Sequence, residues 1–170
     1  MSIYLYTGEG AGKTTNALGL ALRSLGHKHK VIMIQYLKGR KDIGEYKFQK
    51  YLKNPDNYKV YQFGHSSFID LKNPNKKDIE LAKKGLEFIL KVVKQKPHLL
   101  ILDEINLAAA FGLINVDEVV RTLRKIPKST DVVMTGRYAP RKFIDFADYV
   151  NEISIVKMPK KFENKRGIQY

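Results

Sequence analysis

The segment 3–15, with the sequence IYLYTGEGAGKTT, has the residue types of a phosphate-binding site. A short apolar strand leads into a glycine-rich turn and then into a helix start, which is the order found in phosphate loops. The glycines allow several backbone N–H groups to point at a phosphate chain. Lys13 supplies a positive charge for the outer phosphates, and the Thr14 hydroxyl is a ligand for the Mg²⁺ that they carry. The segment therefore predicts a nucleoside triphosphate site.

The loop departs from the usual pattern G-x-x-x-x-G-K-[ST] at its first position, where Thr7 replaces glycine. The loop keeps the usual length, so its backbone donors are retained. The alternative is a glycine-rich turn before a helix, with no ligand. We expect the triphosphate to lie against these loop residues: Thr7, Gly8, Gly10, Ala11, Gly12, Lys13, Thr14 and Thr15.

Asp103 and Glu104 directly follow a purely apolar strand predicted at 99–102. A carboxylate at the end of a buried strand can hold the metal of a nucleotide, directly or through water. Glu104 has two interpretations, as a second metal ligand or as the residue that orients an attacking water. A charged helix start without a ligand is the alternative for both residues.

Arg137 lies in a bend after another apolar strand, predicted at 132–135. Its planar guanidinium suits the clamping of a phosphate group, and a surface arginine is the alternative.

Strands alternate with helices along the rest of the chain. Buried strands are predicted at 31–36 and 59–63, and a last strand at 149–156. Helical patterns follow the loop, begin at Asn75, and occupy 116–125 and 140–147. This alternation predicts an α/β fold with a mostly parallel sheet of about six strands and helices on both faces. Ligands bind at the carboxyl ends of such strands, where the polar clusters would converge.

The composition excludes several classes of protein. A chain of 170 residues predicts one domain, 1–170, and the absence of cysteine excludes disulfides, zinc–thiolate sites and iron–sulfur clusters. No apolar run is long enough for a membrane span and no signal peptide is visible, so we expect a cytoplasmic protein that binds no membrane.

The net charge of +14 favours polyanionic partners. The lysines are spread along the chain, and no groove-reading helix or basic–aromatic stripe is visible. We therefore expect the charge to reflect polyphosphate binding and solvated helix faces, with no specific binding of nucleic acid.

Short motifs in fixed order carry a resemblance from Tyr6 to the last residue. They are TGEGAGKTT, QYLKG at 35–39, the pair at 44–45, LDEINLA at 102–108, TGRYAP at 135–140, ADYVNEI at 147–153 and the closing GIQY. Together they resemble the P-loop ATP:corrinoid adenosyltransferases, which act on cob(I)alamin or cob(I)yrinic acid a,c-diamide. The phosphate loop of that family also lacks the first glycine. The resemblance implies a RecA-like P-loop NTPase fold.

The resemblance implies transfer of the 5′-deoxyadenosyl group of ATP to the Co(I) of a corrinoid, with release of triphosphate. Lys13, Glu104 and Arg137 would then be catalytic. Thr14 and Glu104, with Asp103 beside them, would bind Mg²⁺ or Mn²⁺. Contacts with nucleotide or corrinoid are implied for Gln35, Asn106 and Arg137. The family also implies an electron donor such as a reduced flavoprotein, and a homodimer.

Two departures from the family pattern affect the corrinoid side. Family members carry a segment ahead of the loop strand that covers the site, whereas two residues precede that strand here, so we expect the cover to come from elsewhere or to be missing. The family's Gly-Phe-x-Trp-like pair is replaced by GHSSFID at 64–70. We expect Phe68 and Ile69 to lie under the corrin, with His65 too far away to ligate cobalt. In the alternative interpretation, Phe68 anchors a loop to the core.

Two other functions remain open from the sequence. One is a RecA-like ATPase that binds nucleic acid, and the other is a nucleotide-dependent corrinoid carrier. The products formed from ATP distinguish the first from adenosyl transfer.

Overall fold

The computed structural model describes residues 1–67, 69–71, 73–161 and 163–169. Its six strands form one sheet in the order β3-β2-β4-β5-β1-β6, and every pairing is parallel. The strands are β1 (Ile3–Thr7), β2 (Val31–Tyr36), β3 (Tyr58–Phe63), β4 (Leu99–Asp103), β5 (Asp131–Thr135) and β6 (Tyr149–Glu152). The predicted parallel α/β sheet is confirmed.

Helices cover both faces of the sheet, as predicted. The helices are α1 (Lys13–Gly26), α2 (Gly44–Phe48), α3 (Lys76–Val92), α4 (Ile105–Ala110), α5 (Val116–Leu123) and α6 (Arg141–Phe146). Helix α1 packs on one face through Ala17 and Ala21, which belong to the same core cluster as Val31 and Met33 of β2. Helices α3 to α6 pack on the other face, where Ile32 and Ile34 of the same strand lie. Side chains of a strand alternate between faces, so the continuous apolar run of β2 serves both cores.

Local signals placed most helix starts correctly. Asn75 and Asp78 form the reciprocal cap that begins α3, and the Asn115 side chain accepts the N–H groups of Asp117 and Glu118 at the start of α5. Helix α4 follows β4 after a single residue, and its short apolar sequence gave no separate helix signal. Helix α5 ends at Leu123, two residues before the predicted end.

The prediction of a last strand over 149–156 was wrong in length. Strand β6 ends at Glu152, because the next residue leaves the ladder and crosses the phosphate loop. There the Ile153 N–H donates to the Thr7 carbonyl, and the Ile153 carbonyl accepts the Gly10 N–H at 2.7 Å.

Within the part of the chain that the structure describes, no helix has the length and apolarity needed to cross a membrane. Phe68 lies outside the described residues, so its predicted place under the corrin stays a prediction.

Candidate active site

Three polar segments meet at the carboxyl edge of the sheet. The strand register places Gln35 of β2 beside Asp103 of β4, and Tyr6 of β1 beside Thr135 of β5. Strand β5 lies between the strand that leads into the phosphate loop and the strand that ends in Asp103. The Thr14 side chain nevertheless forms a hydrogen bond with Asp103, so the phosphate loop and the acidic strand end belong to one site.

The Asp103 carboxylate is the centre of this site and is fully buried. Its Oδ1 accepts the hydroxyls of Thr14 at 2.8 Å and Thr135 at 2.7 Å. Its Oδ2 accepts the Lys38 ammonium at 2.6 Å and the Gln35 amide at 3.1 Å. Burial by itself raises the pKa of this carboxyl, but Lys38 and the hydroxyl donors outweigh burial and lower it. Asp103 is therefore a carboxylate with every lone-pair direction engaged.

Glu104 has the opposite character. It occupies the left-handed region at φ +62°, between β4 and α4, and its backbone N–H donates to the Thr135 hydroxyl at 3.1 Å. Its Oε2 is buried, and no described residue forms a hydrogen bond with it. Burial, followed by the charge of Asp103, raises the pKa of the Glu104 carboxyl. A buried carboxylate oxygen without a donor is available to an ion, a water or a ligand.

The residues predicted to bind metal fit a hard divalent ion. The Thr14 hydroxyl and the carboxylates of Asp103 and Glu104 are oxygen donors of the kind that Mg²⁺ prefers, and the Glu104 oxygen has no other partner in the described structure. The described residues contain no group of three or more His, Cys, Asp or Glu that could hold a metal alone. A magnesium ion here would depend on phosphate oxygens of a nucleotide, which is the usual arrangement for this metal.

The Lys13 ammonium lies inside the phosphate loop. It donates to the carbonyl oxygens of Gly8 at 2.7 Å and Gly10 at 2.5 Å. Partial burial lowers the pKa of Lys13, although the Glu104 charge acts in the opposite direction. In this conformation the loop carbonyls accept the hydrogen bonds that the Lys13 ammonium would donate to a bound triphosphate.

The other predicted loop residues take different positions. The Thr7 hydroxyl accepts the Ala139 N–H at 3.2 Å, which ties the loop to the segment after β5. The Gly10 N–H is donated to Ile153, whereas Ala11 and Thr15 are exposed. Gly12 precedes α1 directly and accepts the Asn16 N–H through its carbonyl.

Arg137 lies at the rim of the loop and not against Asp103. Its guanidinium is 3.5 Å from the Glu9 carboxylate and lies 5.9 Å from the centre of the Tyr138 ring. About half of the side chain is exposed, so it remains accessible to a ligand above the phosphate loop.

Gln35 and Asn106 are fully buried at the back of the site. The Asn106 amide donates to the carbonyls of Tyr6 at 3.2 Å and Gly136 at 3.1 Å, and thereby joins the ends of β1 and β5. Gln35 donates to Asp103 and Glu45 and accepts the Gln62 amide. Both side chains support the site in this conformation.

Sequence reasoning assigned no role to Lys38, which follows β2, and indicated Thr135 only as part of the polar cluster 135–137 after an apolar strand. Lys38 lies in the QYLKG motif, just after β2, and Thr135 lies in the TGRYAP motif, at the end of β5. Their positions at the carboxyl ends of strands were the signal that could have assigned them to the site.

Cavities border the site on more than one side. One, of about 230 Å³, is lined by Lys38, Glu45, His65 and neighbours, and the His65 Nε2 lies 3.3 Å from Asp78 Oδ1. The second, of about 300 Å³, lies beside Arg137. Its walls are mainly apolar or aromatic and include Ile69, Leu71, Leu107, Phe111 and Tyr138.

Comparison with known proteins finds relatives that match almost the whole chain. The sequence profile described as ATP:corrinoid adenosyltransferase BtuR/CobO/CobP matches residues 1–170. Corrinoid adenosyltransferases from Sinorhizobium sp. and Pseudomonas aeruginosa are each 30% identical over 99% of this chain, covering 79% and 83% of their own lengths. The corrinoid adenosyltransferase from Escherichia coli is 30% identical over 91% of this chain and 77% of its own length.

Among solved structures, a KaiC-like protein from Pyrococcus horikoshii aligns with a TM-score of 0.58. The alignment covers 90% of this chain and 70% of that chain at 18% identity. This likeness concerns the fold alone, and it agrees with the predicted α/β architecture of a mostly parallel sheet.

Proposed function

Because the chain belongs to the ATP:corrinoid adenosyltransferase BtuR/CobO/CobP family, we propose that the site around Asp103 adenosylates a corrinoid with ATP. The observation that carries the proposal is the hydrogen bond between Thr14 and Asp103. It joins a phosphate loop to an acidic strand end, beside the unpartnered Glu104 oxygen. Such a site holds the triphosphate of a nucleotide with a divalent ion.

The proposed transfer forms a bond between Co(I) and the 5′ carbon of ATP. The carbon–oxygen bond to the triphosphate breaks, and its electron pair leaves with the triphosphate. No proton moves, so the protein needs no general base. The tasks left to the chain are to position both substrates and to stabilise charge on the leaving triphosphate.

Each of these tasks has candidate residues in the site. Lys13 would move from the loop carbonyls to the triphosphate, which offers it a stronger, charge-assisted partner. Arg137, at the exposed rim, would contact the nucleotide or the corrinoid. Thr14, Asp103 and Glu104 would hold Mg²⁺ or Mn²⁺, which neutralises phosphate charge when bound.

The apolar cavity beside Arg137 is the proposed corrinoid side of the site. Ile69, predicted to lie under the corrin, lines it together with Leu107 and Phe111. An apolar wall would exclude axial ligands from Co(II) and make its reduction to Co(I) feasible. His65 lines the other cavity, where its Nε2 lies 3.3 Å from Asp78 Oδ1, and this position supports the proposal that His65 does not ligate cobalt.

The corrinoid side is tested with Phe68→Ala and Ile69→Ala. Both should slow transfer from Co(II) corrinoid with a reductant more than transfer from corrinoid already reduced to Co(I). Equal losses with the two substrates would assign these residues to packing.

The reaction itself is tested by its products. ATP, Mg²⁺ and chemically reduced corrinoid should give triphosphate, together with the absorption change of a cobalt–carbon bond. ADP and phosphate as main products would instead assign Glu104 to the activation of water and would contradict the proposed transfer. Nucleotide binding without any turnover would indicate the carrier.

The proposed setting is a cytoplasmic homodimer that receives electrons from a reduced flavoprotein and binds no specific nucleic acid. The exposed edge strand β6, in which Tyr149 and Val150 are 54% and 41% exposed, offers apolar surface for a second copy. Sedimentation at micromolar concentration tests the dimer. The net charge of +14 should give only weak nucleic-acid retention that is lost between low and physiological salt.

A further inference from the structure

Lys38 occupies the place between the oxygen atoms that are proposed to bind metal. Its Nζ lies 2.6 Å from Asp103 Oδ2 and 3.4 Å from Thr14 Oγ1. The Thr14 hydroxyl donates to the other oxygen of Asp103, so the lone pairs that remain on Thr14 face the ammonium. An ammonium group therefore already contacts two of the three proposed metal ligands.

The backbone after β2 is built to deliver this side chain. Leu37 adopts the left-handed region at φ +61°, which is costly for a residue with a branched side chain, and its N–H donates to the Phe63 carbonyl at 3.1 Å. Gly39 and Gly64 pack so closely that a Cβ on Gly39 would lie 2.5 Å from the Gly64 carbonyl oxygen. The turn is thus held by local packing and places Lys38 above the strand ends.

The ammonium also satisfies an electrostatic need. Asp103 is fully buried, with Glu104 adjacent, and a buried carboxylate without a counter-ion is strongly unfavourable. Lys13 does not meet this need, because it donates to the loop carbonyls. Lys38 is the cation in the described structure that forms an ion pair with Asp103.

We propose that Lys38 is the internal counter-ion of the metal site, and that it is displaced when a divalent ion binds Thr14 and Asp103. Two cations in contact with the same carboxylate oxygen repel each other, so the ion and the ammonium compete. The chain thereby keeps the site intact without metal and limits the binding of free metal. This inference rests on the proposed metal-binding role of Thr14, Asp103 and Glu104.

The competition is tested by titrating Mn²⁺ alone into the full-length protein, with bound and free ion measured by electron paramagnetic resonance. Lys38→Met keeps much of the side-chain volume and removes the charge. It should bind Mn²⁺ about tenfold tighter than the wild type, whereas Lys38→Arg should not. Lys83→Met, which removes an exposed lysine of α3, controls for the change in net charge.

A Glu104→Gln arm separates this inference from the metal site itself. If Glu104→Gln weakens Mn²⁺ binding while Lys38→Met leaves it unchanged or weaker, Lys38 does not compete and this inference fails alone. If neither variant changes Mn²⁺ binding, the proposed metal site fails as well. Tighter binding in Lys83→Met equal to that in Lys38→Met would assign the effect to net charge and would also overturn the competition.

A measurement on the wild type avoids dependence on the folding of Lys38→Met. Acetic anhydride acylates accessible amines, and mass spectrometry reports the extent at each lysine. Saturating Mn²⁺ should raise acylation of Lys38 and leave that of Lys83 unchanged. Unchanged acylation of Lys38 at saturating Mn²⁺ would show that the ammonium stays on Asp103 and would overturn the proposal.

Discussion

Thr14 donates its hydroxyl to Asp103 over 2.8 Å, although the two residues are 89 positions apart in the chain. Thr14 is the second residue of α1, which follows the phosphate loop, and Asp103 is the last residue of β4. Strand β5 separates β4 from β1, and its last residue, Thr135, donates to the same carboxylate oxygen. The two hydroxyls thereby fix the distance between the loop and the acidic strand end.

The first prediction concerns Lys13. Lys13→Ala should reduce kcat/KM for adenosyl transfer by more than about tenfold, because a charge-assisted contact with triphosphate contributes roughly 1.5–3 kcal/mol. The assay is the absorption change of the cobalt–carbon bond with ATP and Co(I) corrinoid. Lys83→Ala, on the exposed face of α3, should retain full activity. A Lys13→Ala enzyme with more than about a tenth of wild-type kcat/KM would contradict the role of Lys13.

The second prediction separates metal binding by Glu104 from water activation. Glu104→Gln removes the charge and retains the shape, so it should raise the Mg²⁺ concentration needed for half-maximal transfer, and excess Mg²⁺ should restore part of the rate. The measurement is transfer rate against Mg²⁺ concentration at fixed ATP. A loss of rate that no Mg²⁺ concentration reverses would speak against metal ligation.

The third prediction distinguishes the site role of Thr135 from its role in stability. Thr135→Val removes a donor to Asp103 and the acceptor of the Glu104 N–H. Thr130 is a matched control, since it is also fully buried and donates to the Pro97 carbonyl at 2.6 Å, away from the strand ends of the site.

Both valine variants should lose about 1–3 kcal/mol in the free energy of unfolding, measured with urea, because each leaves a buried polar group unpaired. Thr135→Val should in addition lose most of its transfer activity, whereas folded Thr130→Val should keep it. Equal activity in the two folded variants would remove Thr135 from the site.

The fourth prediction tests the crossing of the phosphate loop by the segment after β6. A Cβ on Gly10 would lie 2.7 Å from the Ile153 carbonyl oxygen and 2.9 Å from that of Ser154. Gly10→Ala should therefore displace the loop and weaken ATP binding. Gly19 in α1 has no atom within 4 Å of its Cβ position, so Gly19→Ala should be stabilising by about 0.5–1 kcal/mol and leave ATP affinity unchanged.

Calorimetric titration with ATP and thermal denaturation compare these two variants. A wild-type ATP affinity in Gly10→Ala would show that the contact with Ile153 does not set the conformation of the loop.

The sequence determined the parts of this protein that local chemistry controls. The glycine-rich loop before Lys13, the apolar strand before Asp103 and the cap at Asn75 each depend on neighbouring residues, so each was visible in a short window. Alternation of strands and helices was sufficient for a parallel sheet, whose carboxyl edge gathers the polar strand ends. The ordered motifs were sufficient for the family.

Only the tertiary structure decided which partners these residues have. Gln35 and Lys38 reach Asp103 from the end of β2, and Thr135 reaches it from the end of β5, and no local pattern encodes that convergence. Ile153 extends the strand pattern in sequence, yet its carbonyl accepts the N–H of the buried Gly10 across the loop, and β6 ends one residue before it. Burial and charge at Asp103 and Glu104 depend on the sum of contacts from distant segments, so their opposite pKa shifts arise only when the chain is folded.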